Sequence, residues 1–282
     1  MTEMPPAPLL SVIISAFNEE RYIGACLGSL LDQDPVPCDV EVIVSANACT
    51  DRTEEIVEGF VPRFAARGWT LNCLSSPVPG KPAALNRADA AARGDLRAYL
   101  DADIVCSPGL LAEIARRLDT PAALYATGRL RVARAASWIT RAYARLWCRL
   151  PFMKSGAVGA GFFAVNAPGR ARWGAFPDII SDDTFVRLQF APGERAEVAA
   201  GFEWPMAEGL ANLVRVRRRQ DAGVVEIAQL YPNLLANEGK AGLGKAGILK
   251  LAITDPVAFA VYATVHLLVR TRPQGAEWSR GR

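Results

Sequence analysis

Three groups of charged residues have the types and spacing that chemistry requires. Asp101-Ala102-Asp103 follows the apolar run Ala98-Tyr99-Leu100. Two carboxylates so placed suit a hard divalent cation, which takes oxygen ligands and keeps positions for phosphate oxygens; a solvated turn before Pro108 is the plainer alternative. Lys81, one of only five lysines, sits in Gly80-Lys81-Pro82. It is no Walker lysine, because Pro82 stands where that motif needs Ser or Thr. It reads either as a point charge near a diphosphate at a helix start or as an exposed turn lysine. Asp182-Asp183 lies beside a glycine-rich, cationic stretch. One of two adjacent carboxylates can be a general base, poised by burial and by its neighbour's like charge, and the pair can equally N-cap a helix over 184–190. The single histidine, His266, excludes multi-histidine zinc sites. Its apolar setting, VYATVHLLV, favours a structural or membrane-facing role.

Those groups need a scaffold, and the first 120 residues supply a regular one. Leu9–Ser15, Val40–Ser45, Trp69–Ser75 and Leu96–Leu100 are short apolar runs expected to be buried strands. Between them lie helical patterns: one behind an expected Asn18 N-cap, with Glu19 and Glu20 in its first turn, then Thr50–Arg67 and Lys81–Arg93. This alternation predicts an α/β fold, a doubly wound, mostly parallel sheet with helices on both faces. Ligands then sit outside the carboxyl ends of the strands, which singles out residues 16–20, 46–51, 76–81 and 101–103.

The second half loses this rhythm. From Thr120 to Pro177 there is no Asp or Glu but nine basic residues, interleaved with Trp138, Tyr143, Trp147 and Phe152. A second basic run spans Arg215–Arg219. Solvated faces are one reading. Arginine mixed with aromatics also suits an anionic membrane surface or a phosphorylated substrate, and no nucleic-acid motif accompanies it. Beyond Tyr231 a helical, apolar extension is expected, whose longest run, Pro256–Val269, is too short to span a bilayer but can lie in its interface.

Composition narrows the classes further. With 51% apolar and 22% charged residues and a net charge of +3, disordered and collagenous chains are excluded, and nucleic-acid binding gains no support. Six cysteines spaced singly suit reduced thiols in a cytoplasmic protein. The start, MTEMPPAPLL, has no basic and apolar regions of a secretory signal, so none is expected.

Taken in order, SAFNEERYI, VSANACTDRT, GKPAALNRA, LDADIV and SDDTFVRL resemble the family 2 glycosyltransferases of the GT-A fold, over roughly residues 10–220. The resemblance implies a nucleoside-diphosphate sugar donor, a divalent cation (Mn or Mg), and inversion by direct displacement onto an acceptor hydroxyl. Ala16, Phe17 and Glu19 match the first donor loop, Asn47 and Asp51 the second, and Lys81 the lysine near the nucleotide. Asp101 and Asp103 match the metal motif. Asp183 matches the general base, with Asp182 the first acid of that pair. Arg218 or Arg219 matches a basic position for diphosphate or acceptor. The second loop departs from the family pattern, with Ala46 for its usual Asp and Ala48-Cys49 for its frequent Gly-Ser. Residues 1–120 are then expected to bind donor, 121–230 to bind acceptor and carry the base, and 231–282 to associate with membrane. The acceptor expected is a carbohydrate or, from the cationic aromatic span, a lipid-linked hydroxyl in polysaccharide, glycolipid or other glycoconjugate synthesis, and the protein is expected to be cytoplasmic, either soluble or peripheral at the inner face of the cell membrane. A sugar-phosphate nucleotidyltransferase, or a non-catalytic sugar-nucleotide-binding protein on a membrane surface, stays open.

Overall fold

A computed structural model describes residues 9–154, 157–239 and 242–271. Eight strands, β1 (Leu9–Ala16), β2 (Asp39–Asn47), β3 (Thr70–Ser76), β4 (Leu96–Asp101), β5 (Val105–Cys106), β6 (Tyr125–Val132), β7 (Phe162–Asn166) and β8 (Arg195–Trp204), form one sheet. Their order is β3-β2-β1-β4-β7-β6-β8-β5. The helices are α1 (Ile23–Leu31), α2 (Thr53–Ala66), α3 (Lys81–Ala91), α4 (Leu110–Leu118), α5 (Trp138–Trp147), the single-turn α6 (Pro151–Lys154) and α7 (Ala167–Arg170), α8 (Asp182–Arg187), α9 (Gly209–Leu230), α10 (Lys245–Thr254) and α11 (Pro256–Arg270).

The first four strands are the expected ones. β1 is parallel to both β2 and β4, and β2 to β3. A strand inside a parallel sheet is covered on both faces, which is why β1 is apolar at consecutive positions instead of alternating. Leu10, Val12 and Ile14 pack with α1, α2 and α4 residues such as Leu27, Phe64 and Leu111. Ile13 packs on the other face with Leu85 and Ala88 of α3 and with Phe185 and Val186 of α8. The antiparallel pairings lie in the second half, where β7 runs against β4 and β6 and β5 against β8. That is the region in which strand–helix alternation fades from the sequence. A third cluster holds Tyr143, Leu146 and Trp147 of α5 against Leu213 of α9, Leu251 of α10 and Val265 of α11.

One expected cap is corrected. Asn18 does not start a helix: α1 begins at Ile23 behind Tyr22, with no side-chain cap and no acid in its first turn. Asn18 has φ +52°. Asparagine tolerates this left-handed backbone as readily as it caps helices, so its type alone did not separate the two. The acid-free span also changes meaning, because several of its arginines find acids elsewhere in the chain. Arg170 reaches Asp89 at 2.5 Å, Arg172 reaches Glu194 at 2.5 Å and Arg145 reaches Asp255 at 2.8 Å.

Tyr125 carries a testable oddity. It is fully buried between Phe163 and Phe190, and its hydroxyl has no hydrogen-bond partner among the described residues. Leaving such a group dry and unpaired costs about 1–3 kcal/mol. Tyr125→Phe is therefore expected to raise unfolding stability by about 1 kcal/mol in a denaturant titration. A lower midpoint would mean that the hydroxyl is hydrogen-bonded in solution.

Candidate active site

The site forms where β1, β2 and β4 end. The loops after β1 and β2 clasp one another: Thr50 N–H donates to Asn18 Oδ1 at 2.7 Å, and Glu19 N–H to Thr53 Oγ1 at 2.6 Å. The unusual second loop fits this clasp. Ala48, where the family pattern often has glycine, sits at φ +48°. Cys49 takes the part of a hydroxyl, its thiol accepting from Asn18 N–H at 3.4 Å and donating to the Ala16 carbonyl at 3.7 Å. Asp51 belongs to the clasp too, accepting from Thr53 and from Glu20 N–H.

Asn47 joins three segments. Its amide donates to the Ala16 carbonyl at 2.8 Å, and its oxygen accepts from Gly80 N–H at 3.1 Å. Gly80 holds φ +127°, a backbone that disfavours any side chain, and Lys81 and Pro82 then open α3. The turn sends the lysine back toward β4. Its ammonium lies 2.9 Å from Asp101 Oδ1 and 3.2 Å from Asp182 Oδ1.

β4 delivers Asp101 at its last residue. The Asp101 N–H donates to the Gly161 carbonyl at 2.8 Å. The glycine-rich stretch passes so closely here that side chains would not fit. At Gly159 (φ +66°) a Cβ would lie 1.7 Å from Tyr125 Oη, and at Gly161 (φ +79°) 2.7 Å from Ile104. Ser155 and Gly156 of that stretch lie outside the described residues.

Asp182 and Asp183 occupy the first turn of α8, one position later than a cap: the N-cap residue is Ser181, and the helix starts two residues before the expected 184. Asp183 Oδ1 accepts from Thr184 N–H at 2.6 Å. Asp182 is buried, and that burial pushes its carboxyl up to about 6 against the pull of Lys81, with Asp183 and Asp101 adding repulsion. Burial alone would lower the Lys81 ammonium, but Asp101 and Asp182 outweigh it and hold the lysine firmly charged.

These groups surround a cleft of about 630 Å³. Of the sequence-derived candidates, Phe17, Glu19, Asn47, Lys81, Asp101, Asp103, Asp182 and Arg219 line it. Asp183 lines an adjoining recess of about 20 Å³ shared with Lys81, Asp101 and Asp182. Ala16 and Asp51 line neither, and instead build the loop clasp behind the cleft. The two arginines part company. Arg219 faces the cleft, while Arg218 points to the end of α11 and donates to the carbonyls of Leu268 and Val269.

Sequence reasoning missed Ser15, Asp178, Ile179, Ile180 and Glu226, which also line the cleft. Glu226 has a signal in hindsight: with Arg219 and Gly223 it falls at i, i+4, i+7 on one face of α9. That face crosses the loop before α8, where Glu226 Oε2 accepts from Ile180 N–H at 2.8 Å. Gly223 allows the crossing, since a Cβ there would come within 2.2 Å of Ser181 Oγ and 3.0 Å of Ser181 Cβ. Gly223→Ala is expected to lose about 1–2 kcal/mol, overpacking outweighing a helix-propensity gain of about 1 kcal/mol. Adding Ser181→Ala should recover part of that loss in thermal melts; a Gly223→Ala chain as stable as the parent would show that the loop yields freely.

The donor set suits a hard cation only in part. Asp101 and Asp103 offer carboxylate oxygens, but among the described residues no group of three or more His, Cys, Asp or Glu converges as a metal cluster. Two carboxylates fit an Mg- or Mn-like ion whose remaining positions are filled by a ligand's own oxygens.

Known proteins resemble the chain in sequence and in fold. Validoxylamine A glucosyltransferase of Streptomyces hygroscopicus subsp. limoneus is 32% identical over 101 residues, 36% of this chain and 22% of that protein. The poly(ribitol-phosphate) beta-N-acetylglucosaminyltransferase TarS of Staphylococcus aureus is 33% identical over 109 residues, 39% of this chain and 18% of that protein. The matched stretch thus spans about a fifth of the length of these relatives. In fold, the mannosyltransferase PcManGT from Pyrobaculum calidifontis, solved with GDP-Man and Mn2+, superposes with TM-score 0.58 at 20% identity, covering 94% of this chain and 78% of that one. TarS 1-349 with UDP-GlcNAc gives TM-score 0.54 at 17% identity, covering 93% and 76%. The sequence model described as Glycosyl transferase family 2 matches residues 11–171, more than half of the 282, and the chain belongs to that family.

Proposed function

We propose that the protein moves a sugar from a nucleoside-diphosphate sugar to an acceptor hydroxyl, inverting the anomeric carbon. The observation that carries this reading is the meeting of Lys81, Asp101, Asp103 and Asp182 around one cleft, with Asp183 in the recess beside it. The donor lies against Phe17, Glu19 and Asn47, with Lys81 turned toward its diphosphate. Asp103, with Asp101, would hold Mn or Mg, which when bound supplies positive charge against the leaving diphosphate. The complexes named above, one with GDP-Man and Mn2+ and one with UDP-GlcNAc, support this donor class without choosing its base.

Asp183 accepts the proton of the acceptor hydroxyl as that oxygen attacks from the face opposite the diphosphate. No covalent sugar–protein intermediate is needed. In this division residues 1–120 bind donor and residues 121–230 bind acceptor and carry the base, with Arg219 directed at diphosphate or acceptor. The acceptor is a carbohydrate or lipid-linked hydroxyl in glycoconjugate synthesis, and residues 231–282 bring the protein to the cytoplasmic face of a membrane. Among the described residues no helix is long and apolar enough to cross one.

Product analysis tests the reading. With UDP- and GDP-sugars and Mn, release of a nucleoside diphosphate is expected, slowly to water and faster with acceptor. Pyrophosphate release from a nucleoside triphosphate and a sugar phosphate would instead assign a nucleotidyltransferase. Binding without turnover for any donor would reduce the protein to a sugar-nucleotide-binding module.

A further inference from the structure

The outward face of the C-terminal helix pair is apolar where a surface helix should be charged. On α11 the buried positions are Ala258 and Val265, so the opposite side faces solvent. The exposed residues of α11 are Pro256, Val257, Ala260, Ala263, Thr264, His266, Leu267, Leu268 and Arg270, and the one fixed charge among them is Arg270 at the helix end. A helix covered by protein on one face normally carries charge on the other. Next to it, α10 buries only Leu251 and leaves Ile248, Leu249 and Ile253 exposed, the last two at 61% and 71%. Of the fourteen large hydrophobic side chains exposed among the described residues, six lie on these two helices, which makes this a patch and not scatter.

The exposed charges on these two helices, and Arg149 beside them, are cationic, and Asp221 of α9, whose charge reaches His266, is held by Arg217 at 3.0 Å. Lys245 and Lys250 of α10, Arg149 just after α5 and Arg270 at the end of α11 are exposed. The one acid within α10, α11 and their connection is Asp255, already held by Arg145 at 2.8 Å. An apolar strip with a cationic rim fits an anionic partner. It opposes a two-fold contact with a second copy, which would bring lysine against lysine.

We propose that α10 and α11 seat the protein on an anionic lipid bilayer. Ile248, Leu249, Ile253, Val257 and Leu267 enter the boundary between headgroups and acyl chains, and Lys245, Lys250 and Arg149 reach headgroup phosphates. At about 1.5 Å per residue α11 is about 22 Å long, which suits a helix lying in the interface plane. The seat is also tied to the cleft: Arg218 binds the last carbonyls of α11, and the next residue, Arg219, lines the cleft. Delivery of a lipid-borne acceptor from that bilayer rests on the sugar-transfer reading; the seat itself does not.

Flotation of the full chain with vesicles, without substrates, is the test. The protein is expected to float with phosphatidylcholine vesicles containing about a third phosphatidylglycerol and to float poorly with phosphatidylcholine alone. Leu249→Asp with Ile253→Asp should lower partitioning at least about tenfold with an unchanged melting temperature, since both side chains are exposed. Lys245→Gln with Lys250→Gln should lower it about 25-fold, from roughly a fivefold factor per charge. Absence of the parent from anionic vesicles, or unimpaired flotation of the Leu249→Asp, Ile253→Asp chain, would overturn the proposal. A dimer in light scattering that this double variant dissociates, without vesicle binding by the parent, would assign the face to a second copy. Nucleoside-diphosphate binding, measured separately, shows whether the transfer reading stands when the seat does not.

Discussion

Replacing Asp183 by asparagine is expected to reduce sugar transfer by about 10²–10⁴-fold while nucleoside-diphosphate affinity stays within about twofold. The substitution keeps the local fold. Asparagine Oδ1 can accept from Thr184 N–H as the carboxylate does at 2.6 Å, so the first turn of α8 is retained. What is lost is the capacity to take a proton. Because that capacity matters only while the acceptor hydroxyl is losing its own, the defect should fall on kcat and spare donor binding. Asp182 is the less suitable base, since its carboxyl is buried and already occupied by Lys81 at 3.2 Å. Full turnover in Asp183→Asn together with dead Asp182→Asn would reverse this assignment.

Lys81→Met should show the second large effect, with two separable parts. The ammonium touches both acidic centres of the cleft, Asp101 and Asp182. A charged hydrogen bond to a diphosphate is worth about 1.5–3 kcal/mol, so donor affinity should fall by about 10–150-fold. Stability should fall as well, by about 1–2 kcal/mol near pH 8. This is less than for a fully buried pair, because the Lys81 side chain is still 33% exposed and solvent screens part of the interaction.

The stability defect has a pH signature. Asp182 already titrates at about 6 in the folded chain, above its ordinary value. Removing Lys81 raises it further, so the folded variant keeps its proton to higher pH than the parent. Stability falls with pH while the folded state holds more protons than the unfolded state, and that window widens in the variant. The gap between variant and parent should therefore open as pH rises from about 6 to 8, and narrow below about 5, where Asp182 is protonated in both and only the contact of Lys81 with Asp101 still separates them. A gap that widens toward acid would contradict the pairing of Lys81 with Asp182.

How far such residues could be read from sequence depended on whether their meaning was local. β1, β2 and β4 were legible because a strand covered on both faces must be continuously apolar, and LLSVIIS, VEVIVS and LRAYL each satisfy or approach that demand. Asp101 and Asp103 followed from their place after β4. Lys81 was legible only as a charge at a helix start, because its meeting with Asp182 spans a hundred residues of chain. Asn18 was misread since capping and left-handed turns favour the same side chain. The choice between Arg218 and Arg219 was closed to sequence because neighbours on a helix differ by about 100° in direction, and the phase of α9 is set by packing. The same packing concealed Gly223 and Glu226. The cationic span from residue 120 to 177 overstated the free charge, as the acids answering Arg145, Arg170 and Arg172 come from other parts of the chain.

The central claim is that one cleft binds a nucleoside diphosphate through a cation held by the Asp101–Asp103 motif. Calorimetric titration of UDP and GDP into the full chain, with Mn or with a chelator, tests it most directly. One preferred nucleotide should bind with a stoichiometry of about one per chain in Mn, at least about tenfold more weakly with chelator, and Asp103→Ala should abolish the difference. Binding of equal strength with and without Mn, or a full Mn effect retained in Asp103→Ala, would contradict the account.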